Sequence, residues 1–177
     1  MKRIGVVAIW LFTALAFGLT VSAQPPLAKK FVIHLDGGNE VPERDTSATG
    51  QAVFQLNSAE SEISYKLIVA NIENVVAAHI HLGIAGVNGP VVVFLAGPFA
   101  PGGGRVDGII GEGTITAADL TGPLVGQDFA VLVTAMRSGG TYVNVHTNDG
   151  LEPTDTGPGD FPGGEVRGQI RTAGPPL

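Results

Sequence analysis

Apolar side chains return at every second position in one short stretch after another, and clusters of glycine, proline, asparagine or aspartate cut the stretches off. Ala52, Phe54 and Leu56 alternate inward over Thr49 to Leu56; Ile63, Tyr65, Leu67 and Val69 then alternate with Ser64, Lys66 and Ile68. An extended chain sends successive side chains to opposite faces, so a period of two builds half-buried β-strands. Asn57-Ser58-Ala59-Glu60 joins these two runs into an antiparallel hairpin with one wet face. Phe31 to Leu35 reads as an earlier strand closed by Asp36-Gly37-Gly38-Asn39, and Gly108 to Ile115 as a later one. Val91 to Leu95 is apolar throughout, the pattern of a strand covered on both sides. Seven or more short strands with glycine-rich turns predict an all-β fold: an antiparallel β-sandwich with Greek-key-like connections. The exception is Phe129 to Arg137, where Phe129, Leu132, Val133 and Met136 recur at helical spacing. Asp128 is placed to cap this one short helix and Gly139-Gly140 to end it, while Thr116 to Asp119 has the form of a capping box.

The first residues stand apart. Met1-Lys2-Arg3 is basic, Ile4 to Val21 is almost wholly apolar, and Val21-Ser22-Ala23 offers the small residues at which a signal peptide is cut. The expected organisation is a signal peptide over 1–23, an unstructured leader over 24–29, one domain over 30–172 and a tail over 173–177. An uncleaved anchor is the alternative, because the apolar run is long enough to span a bilayer. Cleavage makes the protein secreted or periplasmic, with no membrane attachment afterwards. Setting aside Lys2 and Arg3 from the 10 lysines and arginines leaves 8 against 16 acids, a formal charge of −8. That balance disfavours nucleic acid and anionic membrane as partners. The chain has no cysteine, which excludes disulfides, thiolate metal sites and cysteine-ligated blue copper. The core alone must hold the fold, and a chain of this length buries enough surface for that.

The chemistry concentrates in histidine. In Val75 to Leu82, His79 and His81 share one face, opposite Ala78, Ile80 and Leu82. In Thr141 to Thr147, Val143 and Val145 take one face and Tyr142, Asn144 and His146 the other. Gly164 to Arg171 puts Val166 and Ile170 on one side and Glu165, Arg167 and Gln169 on the far side. Strands that bury their aliphatic faces therefore present His79, His81 and His146 together outside the core, under loops. Two imidazoles at i and i+2 with a third from a neighbouring strand make a three-nitrogen set suited to copper or zinc. Glu165 is expected as a fourth ligand or as the acceptor of an imidazole N–H, with Arg167 beside it as its ion-pair partner. Tyr142 and Asn144 share the face of His146 and are expected to line the site. Binding needs neutral rings and should weaken below about pH 6.5. The alternative is that the three rings hydrogen-bond within the protein and stiffen the sheet. His34 faces outward, but nothing aligns it with the others. The loop from Asn148 to Gly163 carries four carboxylates, whose spacing fits no EF-hand; a solvated acidic loop is the preferred reading over a calcium site.

Four ordered motifs carry a resemblance. Glu40-Val41-Pro42 with Ala48-Thr49-Gly50-Gln51-Ala52, Ala78-His79-Ile80-His81 with Gly86-Val87-Asn88-Gly89-Pro90, Tyr142-Val143-Asn144-Val145-His146-Thr147, and Pro162-Gly163-Gly164-Glu165-Val166-Arg167-Gly168-Gln169-Ile170 together resemble the CHRD domain over about residues 30–172. The resemblance implies an extracytoplasmic β-rich module; the growth-factor binding associated with other modules of chordin does not transfer with it. A weaker likeness runs to copper-zinc superoxide dismutase, where a His-x-His strand, a later histidine, a long loop and an arginine near the metal occur in the order of His79, His81, His146 and Arg167. The bridging histidine, the zinc cluster and the loop-tying cysteine pair of that family have no equivalents here. Three functions follow, in this order: a binding module holding a transition metal through His79, His81 and His146; a metal-free module that recognises another extracellular protein; and a redox enzyme of the dismutase kind. Non-enzymatic readings therefore rank ahead of an enzymatic one. A serine hydrolase lacks its Gly-x-Ser-x-Gly turn, and neither a phosphate-cradling loop nor a dinucleotide fingerprint is present.

Overall fold

The computed structural model describes residues 27–172; the expected signal peptide, the first part of the leader and the whole of the tail lie outside them. Eight strands follow one another as β1 (Lys30–Asp36), β2 (Thr49–Leu56), β3 (Ile63–Glu73), β4 (Val75–Leu82), β5 (Val91–Ala96), β6 (Arg105–Ile115), β7 (Thr141–Thr147) and β8 (Val166–Ile170). The α-helix α1 (Phe129–Arg137) lies between β6 and β7. The fold is all-β with one short helix. All strand pairs are antiparallel, and the eight strands belong to one sheet of order β5-β4-β7-β8-β1-β2-β3-β6. The connections β3 to β4, β5 to β6 and β6 to β7 jump between distant positions of that order, the first of them through Asn74 alone.

The sheet curls until its two ends nearly meet, giving an almost closed barrel. Tyr65 on β3 reaches across the gap and donates its hydroxyl to the Leu95 carbonyl of β5 at 2.8 Å. On β6, Gly111 lets the strands approach this closely, since a Cβ there would run into the same carbonyl. Inside lies one apolar core drawn from every strand, including Leu35, Phe54, Leu67, Ile80, Val143 and Ile170, capped by Leu132 and Met136 of α1. Each such side chain contributes about 1.5–3 kcal/mol on burial, and with no cysteine present this core is the main source of stability.

The helix matches its sequence expectation: Asp128 caps it by accepting from Ala130 N at 2.8 Å, and Gly139 leaves it at φ 73°. Two expectations need correction. β5 is not covered on both sides: bulges in its pairing with β4 put Val92 and Val93 both inward and roll Phe94 out, to 57 % exposure. β8 starts at Val166, two residues later than the alternation implies, because Gly164 bends the chain at φ 126°.

Candidate metal centre

The centre is built on the outer surface of β4 and β7, where their register places the side chains. His81 lies directly across from Tyr142, His79 across from Asn144, and His146 across from Ala77. His79 and His146 are therefore diagonal neighbours, and the small Ala77 leaves His146 room to lean toward them. His79 Nδ1 stands 3.1 Å from His146 Nε2. One ligand atom from each of His79, His81 and His146 falls within 4.8 Å of the others, the only such group of metal-ligating side chains among the described residues. Bonds of about 2.0–2.1 Å in a tetrahedral site put nitrogens roughly 3.3–3.4 Å apart, so closing on an ion draws the widest pair together by somewhat more than an ångström.

Backbone acceptors fix two of the rings. His81 Nδ1 lies 2.8 Å from the Gly89 carbonyl and His146 Nδ1 lies 2.8 Å from the Pro162 carbonyl. A carbonyl only accepts, so both protons sit on Nδ1 and both Nε2 atoms keep a lone pair. In the ion-free protein His79 Nδ1–H can donate to the lone pair of His146. The lone pair of His81 has no such outlet: its Nε2 is buried without a hydrogen-bond partner. Burial lowers the pKa of all three rings, helped at His79 by its two imidazole neighbours, at His81 by the Arg167 charge and at His146 by His81; His79 falls to about 4. The rings are thus neutral at pH 7, the state in which imidazole binds a metal. The expected weakening below pH 6.5 moves down accordingly, toward pH 4 for His79.

The surrounding groups depart from expectation in an instructive way. Glu165 is fully buried, but it does not face the histidines. After the Gly164 bend its carboxylate accepts from Thr46 Oγ1 at 2.6 Å, Thr147 Oγ1 at 2.7 Å and Gly159 N at 2.9 Å, so its acceptor capacity goes to pinning loops at the barrel end. It is neither a fourth ligand nor the acceptor of an imidazole N–H; Gly89 and Pro162 carbonyls fill the latter role. Arg167 does not pair with Glu165 either. It is 1 % exposed, lies 3.4 Å over the Tyr142 ring, and donates to Asn88 Oδ1 and the Val87 and Ile84 carbonyls. Tyr142 does line the centre, stacked on His81 at 4.8 Å and 12°. Asn144 is buried between His79 and Arg167 in register, with its Oδ1 unpartnered. Nearby Glu40 is buried too; desolvation pushes its pKa up to about 7 against the opposing pull of Arg167, and its Oε1 lacks a partner.

Three participants were hidden from sequence reasoning. The Gly89 and Pro162 carbonyls belong to the backbone, which carries no residue signature, and Phe94 meets His79 edge-on at 4.8 Å only because of the β5 bulge. The acidic loop gathers no cation site: Asp155 pairs with Arg44 at 3.0 Å, Asp160 Oδ2 accepts from Thr156, and Asp149 Oδ1 accepts from Leu151 N. His34 sits on the exposed face of β1, away from the centre.

Comparison with protein-family models places the CHRD domain over residues 31–170. The chain belongs to the CHRD domain family. That span takes in every strand from Phe31 onward and all three clustered histidines, so the centre is part of the CHRD domain itself. Comparisons with curated proteins and with solved structures find no match. Among the described residues no helix is long and apolar enough to cross a membrane.

Proposed function

We propose that this CHRD-domain protein is exported, to the periplasm or the cell exterior, and there holds one copper or zinc ion through His79, His81 and His146. The observation that carries the reading is the convergence of three neutral imidazoles within 4.8 Å, one of them with a buried lone pair that nothing in the protein uses. Leaving such a group unpartnered costs about 1–3 kcal/mol, a cost that an ion would remove. Three nitrogen donors suit copper and zinc, and with Glu165 turned away a fourth position stays open to water or a small ligand. When bound, the ion supplies Lewis acidity at that position, or redox capacity if it is copper. The chain's part is to orient the rings and keep them neutral.

Elemental analysis of protein loaded with copper or zinc and then desalted tests the reading. One equivalent retained by the wild type and none by a triple alanine variant of His79, His81 and His146 is the expected result. Absence of retained metal in the wild type overturns it. Recognition of another extracellular protein without metal is the second reading, favoured by the exposed Ile84, Val87 and Phe94. A dismutase-like activity ranks last, because the Arg167 guanidinium is taken up by Asn88 and the Val87 and Ile84 carbonyls and is only 1 % exposed, which leaves it little surface to guide a superoxide anion.

A further inference from the structure

His81 sits in a closed circuit of contacts that the metal reading alone does not require. One face of the Tyr142 ring covers the imidazole at 4.8 Å and 12°, and the Arg167 guanidinium lies 3.4 Å over the Tyr142 ring. Arg167 in turn ties down the 83–90 loop at three points: Asn88 Oδ1 at 2.9 Å, the Val87 carbonyl at 2.9 Å and the Ile84 carbonyl at 3.2 Å. That loop returns to the centre at Gly89, whose N–H donates to the Tyr142 hydroxyl at 3.1 Å and whose carbonyl takes the His81 Nδ1 proton at 2.8 Å. An imidazole with a flat ring against its face cannot turn over freely, and one whose Nδ1 faces a fixed carbonyl cannot move its proton to Nε2 without losing that bond. The sheet register makes the circuit possible, since Tyr142 is the cross-strand partner of His81 and Arg167 lies diagonal to Tyr142 on β8.

We propose that Tyr142 and Arg167 are positioning residues: with the 83–90 loop they hold His81 in the Nδ1–H tautomer, its Nε2 lone pair ready, before any ion arrives. The purpose of this lock rests on the metal reading, but the lock itself is a property of the ion-free chain and is measured there. Arg167 thereby has a use unlike attraction of an anion. Its charge is spent on fastening a loop, and its flat face on backing an aromatic ring.

The test compares wild type with Tyr142→Leu, which keeps bulk but loses the flat face, Tyr142→Phe, which keeps the face, and Asn88→Ala. Asn88 is exposed, so its replacement frees two loop anchors, the bonds to Arg167 and to the Val41 carbonyl, without opening the core. Long-range proton–nitrogen correlation spectra of ion-free protein at pH 7 report the His81 tautomer and the exchange rate of its Nδ1 proton; a zinc titration reports affinity. The wild type should show one Nδ1–H tautomer, and Tyr142→Phe, which keeps the flat face but frees the Gly89 N–H, should keep that tautomer while exchanging the His81 proton faster. Tyr142→Leu should show mixed tautomers and a zinc affinity about 10- to 100-fold weaker, the range for lost outer-shell support. Asn88→Ala should exchange the His81 proton severalfold faster even if Tyr142→Leu proves too unstable to study. An unchanged tautomer and exchange rate in Tyr142→Leu and Asn88→Ala, or a mixture already in the wild type, overturns the lock. Zinc and copper both failing to bind wild type while the tautomer pattern follows expectation sinks the metal reading and leaves the lock standing.

Discussion

Two buried carboxylates on neighbouring loops behave in opposite ways, and the difference lies in their partners. Glu165 is met by three donors, so Glu165→Ala should destabilise the protein by about 3 kcal/mol or more, and Glu165→Gln by less, in denaturant unfolding. Glu40 has an unpartnered oxygen and a pKa raised to about 7. An unfolded glutamate titrates near 4.5, so as pH rises from 4.5 through 7 the folded state holds a proton that the unfolded state has lost, and stability declines. The three histidines work the other way. Their folded pKa values lie below the unfolded 6.5, so as pH falls from 6.5 toward 4 the unfolded chain takes up protons first and stability is lost. Three rings outweigh one carboxyl on the acid side. Ion-free protein should therefore gain stability from pH 4 up to about pH 7 and level off above it, and Glu40→Gln should steepen the gain between pH 5 and 7, measured as thermal midpoint against pH.

At the scale of elements, how much the sequence discloses depends on whether local pattern or a neighbour decides. α1 was legible in full, from the spacing of Phe129, Leu132, Val133 and Met136 and from the Asp128 cap. Removing that cap as Asp128→Ala should cost about 1 kcal/mol, seen as a small drop in thermal midpoint. The outward face of His79, His81 and His146 was legible too, because strand parity is fixed by the chain alone. What parity cannot convey is a bend or a bulge. Gly164 redirected Glu165, and the slipped β4–β5 register turned Phe94 outward; both depend on pairing that forms only in three dimensions. Gly168 shows a similar hidden demand. A Cβ there would strike the His34 carbonyl and the Ile33 side chain where β8 meets β1, so Gly168→Ala should loosen that junction and speed amide exchange at Ile33 and His34.

For the whole molecule, an ion that binds the native state and not the unfolded chain adds stability by mass action. Zinc or copper at about 1,000 times its dissociation constant should contribute about 4 kcal/mol. Calorimetry should show the thermal midpoint rising on loading and returning when a chelator is added, and the rise should vanish in the triple alanine variant. The near-closure of the sheet has its own consequence. A free strand edge is a template on which further chains can stack, and a cysteine-free protein has no covalent means of preventing it. Here the two terminal strands shield each other through the glycine at 111 and the Tyr65 hydroxyl, leaving little bare ladder for a second molecule to extend. Wedging that join with Gly111→Val should leave secondary structure largely intact while making the protein assemble into thioflavin-positive fibrils under conditions in which the wild type stays monodisperse by light scattering.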